Sequence, residues 1–126
     1  MDRRVISSGS SLEERFGYSR AVVTSDRVYV AGTAPIMPGD ADPPPEPYEQ
    51  MRRCLEIVAN ALTEAGAALN DVVRTRVYMT DATYVSEVMR AHGEPFGSAR
   101  PACTGVVCAL LDERWICELE VEAVVR

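Results

Sequence analysis

From Trp115 to Val125 apolar and charged positions alternate strictly: Trp115, Cys117, Leu119, Val121, Ala123 and Val125 share one side, and Glu118, Glu120 and Glu122 the other. A side-chain period of two is that of a strand with one buried face. The preceding run, Arg100 to Leu111, is rich in small and β-branched residues and also reads as a strand. Only Asp112-Glu113-Arg114 separates the two runs, so a hairpin or tight local connection is expected between them. Upstream, Tyr18 to Val23 and Arg27 to Gly32 alternate on either side of Thr24-Ser25-Asp26 and predict an N-terminal hairpin. Val72 to Thr80 sets Arg74, Arg76 and Tyr78 against Val73, Thr75, Val77 and Met79, a strand with one polar face.

Between these strands the period changes. Met51, Cys54, Leu55, Val58 and Leu62 recur at helical spacing, with Glu49, Arg52, Arg53, Glu56 and Asn60 mostly opposite them. The spacing predicts a helix from about Tyr48 to Ala65, closed by Gly66 in a left-handed cap. Asp81 or Thr83 can cap a second helix reaching about His92, with Val85, Val88 and Met89 inward and Gly93 and Pro95 ending it. Six of the eight prolines fall from Pro35 to Pro47, which predicts a mobile loop. Residues 1–16 show no period and read as a surface segment ordered only where it packs on something.

The order strand, strand, helix, strand, helix, strand, strand predicts an α+β fold, a mixed sheet with two helices packed on one face. Both faces of the strands carry apolar residues, and two helices cannot cover both. Stacking of sheet faces between subunits would bury the second.

Composition narrows the function classes. A chain of 126 residues with 47% hydrophobic residues is expected to form one domain, 1–126. A net charge of -6 and a sequence pI near 4.8 argue against a surface that tracks phosphates, so no nucleic-acid partner is expected. No apolar run approaches the roughly 20 residues of a membrane helix, and the start Met1-Asp2-Arg3-Arg4-Val5 lacks a signal peptide's apolar segment, so a soluble cytoplasmic protein is expected. Cys54, Cys103, Cys108 and Cys117 form no CxxC pair and have no histidine cluster, so they read as small apolar residues. Glycine-rich phosphate loops, GxSxG elbows and metal-spaced carboxylates are absent, and no cofactor or metal is expected.

Several short stretches fall in a telling order. They are Gly17-Tyr18, Val28-Tyr29-Val30-Ala31-Gly32-Thr33-Ala34-Pro35, Ala65-Gly66 followed by Asp71-Val72-Val73-Arg74, Val77-Tyr78-Met79-Thr80-Asp81, Pro101-Ala102 with Val106 and Leu111, and Glu120-Val121-Glu122-Ala123-Val124. Together they resemble the Rid family, the YjgF-like imine/enamine deaminases, over nearly the whole chain. The resemblance implies a chorismate-mutase-like fold assembled as a homotrimer around a central barrel, with a small-molecule cleft at each subunit interface. It also implies hydrolysis of 2-aminoacrylate-type imines to 2-oxo acids and ammonia.

Such chemistry needs a group that fixes the substrate carboxylate and one that orients a water. The resemblance gives the second role to Glu120 and a cleft-lining role to Tyr18. The family's carboxylate-binding arginine follows Pro-Ala, where this chain has Cys103. Ala31 stands where many members carry serine, and Met89 where a cleft asparagine is usual. Arg100, three residues before Cys103, is the nearest cation to the vacated position. Each residue also has a plainer reading: Glu120 as a strand residue balanced by Arg74 or Arg76 across the sheet, Arg100 as a surface ion pair, Tyr18 as strand packing, Cys103 as an inert thiol. Cys103 as a nucleophile would need a base, and His92 is the only histidine. The reading is a Rid-like cleft protein with altered or weak deaminase activity; the alternative is a non-catalytic metabolite-binding or regulatory trimer.

Overall fold

In the computed structural model, which describes residues 3–125, the last strand has one sealed face and one open face. Cys117, Leu119, Val121 and Ala123 are each at most 1% exposed, while Glu118, Glu120 and Glu122 between them are half-buried. Nine elements surround this division: strand β1 (Arg3–Ile6), helix α1 (Ser11–Phe16), strands β2 (Ala21–Thr24) and β3 (Arg27–Thr33), helix α2 (Pro47–Glu64), strand β4 (Val72–Met79), helix α3 (Val85–Gly93), and strands β5 (Ala102–Val107) and β6 (Cys117–Val124). The six strands form one sheet in the order β1-β2-β3-β6-β4-β5. All neighbours are antiparallel except β4 and β5. This is the mixed α+β architecture that the alternation predicts.

Helix α2 lays Met51, Cys54, Leu55, Val58 and Leu62 into the core, as its spacing requires, and Gly66 follows it at φ 85. Asp81 caps the next turn by accepting the N–H of Thr83 at 2.8 Å. In α3, Val88 and Ala91 are buried and Met89 packs partly buried on the core. Val85, expected inward, is 40% exposed; it opens the helix, where the chain is still leaving the preceding 3-10 turn.

One expectation is filled in and one is corrected. The segment 1–16 contributes an edge strand, in which Ile6 pairs with Ala21 and is buried, and a short helix capped by Ser10. The runs around Cys103 and Cys117 do not pair as a hairpin: β6 inserts between β3 and β4, and β5 lies beyond β4 in parallel. The connection crosses the end of β4, where the Cys108 N–H donates to the Met79 carbonyl and the Thr80 N–H to the Ile116 carbonyl, each at 2.9 Å. Without a glycine to open a tight reversal, the break becomes a crossing instead of a turn.

The proline-rich segment is a loop, but a tied one. Arg114 reaches Asp40 and Asp42 at 3.1 Å each and Asp112 at 2.8 Å. Gln50, 1% exposed, donates from Nε2 to the carbonyls of Pro44 and Arg114 at 2.9 and 3.0 Å. Its Oε1 accepts the Ile116 N–H at 2.7 Å. One buried amide therefore joins the loop, α2 and the approach to β6. Gln50→Leu should lower stability by about 2–5 kcal/mol through the backbone groups it strands, read as a lower urea midpoint at unchanged slope.

Candidate functional site

Helix α1 ends at Gly17, whose φ of 73 lies in the left-handed region and turns the chain into β2. Tyr18 and Arg20 follow at once on the wall of a groove of about 1000 Å³, completed by Gly32, Ile36, Trp115 and Glu118. The Arg20 carbonyl accepts the Ala31 N–H at 2.9 Å, which fixes the strand against β3. Its Nη2 donates to the Gly32 carbonyl at 2.7 Å, while its Nε is buried with no partner.

A register shift between Val30 and Thr33 in the pairing of β3 with β6 brings Gly32 beside Glu118. A Cβ on Gly32 would stand 3.1 Å from Glu118 Oε1, so the glycine leaves the room the carboxyl occupies. Burial pushes the Glu118 carboxyl above the ordinary carboxylate range, and the field of Arg20 offsets part of that shift.

Glu120 lies in a different environment on the open sheet face. Arg76 Nη1 donates to its Oε2 at 2.9 Å and the Tyr78 hydroxyl to its Oε1 at 2.7 Å. Arg74 pairs with Glu122 at 3.3 Å, and Arg76 also approaches Glu122 at 3.7 Å. The register sets Arg76 opposite Glu120 and Arg74 opposite Glu122, so the cross-strand balance expected from sequence is present. The hydrogen bond to the Glu120 carboxylate raises the Tyr78 hydroxyl above its usual range.

The remaining candidates lie elsewhere. Arg100 is exposed at a left-handed φ of 45, its N–H donating to the Phe96 carbonyl at 2.8 Å. Cys103 is exposed on β5, an outermost strand, in register with Thr75. Thr75 belongs to the helix-covered face, so within one chain Cys103 and Glu120 point to opposite sides of the sheet. Ala31 sits at the β3 irregularity, and Met89 faces the core. His92 Nε2 lies 2.9 Å from the Thr75 hydroxyl in the core, with the Phe96 ring 4.8 Å away, and burial lowers its pKa. Of the sequence candidates, only Tyr18 therefore lines the groove.

A family model described as Endoribonuclease L-PSP matches residues 9–125. The chain belongs to the YjgF/Rid family. Its similarity to the uncharacterized protein SCO2049 of Streptomyces coelicolor is 41% identity over 125 residues, 95% of this chain and 90% of that one. A RutC family protein of Pyrococcus abyssi, PYRAB12510, is 34% identical over 104 residues, covering 82% of each chain. The crystal structure of Rv2704 from Mycobacterium tuberculosis, a member of the YjgF/YER057c/UK114 family, superposes with a TM-score of 0.87 at 41% identity. That match covers 98% of this chain and 100% of Rv2704. Among the described residues no helix is long and apolar enough to cross a membrane.

Arg20 and Glu118 were not singled out from the sequence. The one signal available was an arginine entering an otherwise apolar strand; in the alternation of β6 Glu118 looks the same as Glu120 and Glu122. The raised Glu118 carboxyl gives a direct test. A folded-state value above the unfolded one favours the protonated folded protein, so this contribution is present at low pH and is lost as pH climbs from the ordinary carboxylate range through the raised value. Glu118→Gln should melt like the wild type near pH 4 and gain thermal stability relative to it toward pH 7. An unchanged difference between the two pH values would show that the carboxyl titrates normally.

Proposed function

We propose that this Rid-family protein binds a small carboxylate-bearing imine or enamine and hydrolyses it to a 2-oxo acid and ammonia, more slowly than arginine-bearing members, as a cytoplasmic homotrimer. Water adds across the C=N bond, the nitrogen takes up protons, and ammonia leaves as the carbonyl forms. Protein residues suffice for this step, and no cofactor enters it. Glu120 orients the water, Tyr18 lines the cleft and Arg100 supplies a cation near the vacated Cys103 position, while Ala31 and Met89 stand where polar groups would otherwise assist.

The observation that carries the reading is the division of these residues within one chain. Tyr18 lies in the groove, Glu120 on the open face, and Arg100 and Cys103 at an unpaired sheet edge. A site needing all of them is completed by apposing chains, and the open face offers Val5, Tyr29 and the Arg–Glu ladder for that contact. A ribonuclease reading, which the family description carries, has less support from a chain of net charge -6.

The non-catalytic alternative has one specific support. Both Glu120 oxygens are already held, by Arg76 and Tyr78, so orienting a water requires one of those bonds to yield. Non-catalytic binding needs no such change.

Light scattering at micromolar concentration should return three times the chain mass; a stable monomer would remove the shared cleft. Turnover of 2-aminoacrylate-type imines should be ~10²-fold or more below that of an arginine-bearing relative, the scale of losing one charged anchor. Cys103→Arg should recover part of it while remaining trimeric. Wild-type turnover equal to the relative's would show that the cleft works without that arginine.

A further inference from the structure

Two groups in the groove are left unsatisfied by the fold, and they are of opposite charge. Arg20 Nε is, among the described residues, the buried side-chain polar atom with no hydrogen-bond partner. A buried donor left unmade is destabilising and rare in folded proteins. The bonds and ion pairs of β6 go through Glu120 and Glu122, leaving Glu118 with no partner among the described residues. Glu13, the other carboxylate whose field reaches Arg20, is occupied by the Ser8 N–H and hydroxyl. Arg20 and Glu118 line the same space yet do not close on each other.

The walls and rim of that space are apolar. Leu12, Phe16, Ile36 and Leu111 line it while remaining 46%, 64%, 43% and 96% exposed. At about 1000 Å³ the groove is at the upper end of the range that accommodates drug-sized ligands, and a three-carbon substrate would leave most of it empty. Contiguous apolar side chains around a polar pair are the usual arrangement of a small-molecule site, in which the polar groups orient and the apolar groups supply area.

We infer that this groove binds α-amino acids or their 2-imino counterparts with large apolar side chains, Arg20 taking the carboxylate, Glu118 the nitrogen, and the Leu12–Phe16–Ile36–Leu111 rim the side chain. Arginine's planar fork has the geometry a carboxylate needs, and among the described residues the guanidinium of Arg20 is engaged only through Nη2, by the Gly32 carbonyl. Gly32 leaves room beside the Glu118 carboxyl, since a Cβ there would stand 3.1 Å from its Oε1. The inference deepens the Rid-type reading by naming its substrate class and rests on it for turnover, but the binding stands apart from catalysis. Arg20 thereby supplies a carboxylate contact inside the groove, separate from the cation that Arg100 places near Cys103.

Calorimetry on the full chain, with stable amino acids as probes, tests this. L-phenylalanine and L-leucine should bind at least ~10-fold more tightly than L-alanine, and 3-phenylpropanoate, which lacks the nitrogen, should bind more weakly than L-phenylalanine. Arg20→Gln should weaken L-phenylalanine ~10-fold or more, as loss of a charge-assisted pair does. Should that variant fold poorly, Arg20→Lys keeps the charge without the fork and should weaken binding in the same direction. Glu118→Gln should reduce affinity for L-phenylalanine and leave that for 3-phenylpropanoate unchanged. Equal affinity for L-alanine and L-phenylalanine, no binding of any of them, or wild-type affinity in both Arg20 variants would overturn the inference. Imine turnover without the side-chain preference would overturn it while sparing the deaminase reading; binding with the preference but no turnover would support it and count against hydrolysis.

Discussion

The structure depends on β6 serving two environments at once. Its period of two drives Cys117, Leu119, Val121 and Ala123 under α2 while Glu118, Glu120 and Glu122 emerge on the other side. Glu120 and Glu122 avoid desolvation without partners because β4 brings Arg74, Arg76 and Tyr78 to the same face in register. Slipping β6 by one residue would exchange the core for the charged row, so the register is fixed from both sides. Everything placed relative to β6, including the groove at its Glu118 end, inherits that precision.

Where local pattern decides structure, the sequence was easily read. The helical spacing from Met51 to Leu62, the Asp81 cap and the alternation of β4 and β6 are interactions between near neighbours, and the residues show them directly. The hairpin expected between β5 and β6 fails because adjacency in sequence does not determine adjacency in a sheet; the crossing at Met79 and Thr80 is a tertiary fact. β1 escaped notice for a related reason. Arg3-Arg4-Val5-Ile6 has too short a pattern to announce itself, and pairing with β2 is what makes it a strand.

The candidate site was less legible than the fold. Tyr18 lines the groove, while Glu120 lies among its basic neighbours, Cys103 on an outer strand, and Met89 against the core. Arg20 and Glu118 become visible only when hydrogen bonds are counted, because what marks them is the absence of a partner. No residue type or spacing records such a vacancy. It arises where the irregularity of β3 passes Glu118, a matter of backbone geometry between segments more than eighty residues apart.

The placement of β5 bears on how this protein can change. Ala102, Cys103, Thr104 and Gly105 are all exposed, and the strand is joined to the sheet only through β4. A side chain at position 103 can therefore be exchanged with little disturbance to the buried packing that keeps the chain folded. Such a strand is a tolerant margin: its residues can vary one substitution at a time while the buried architecture stays intact.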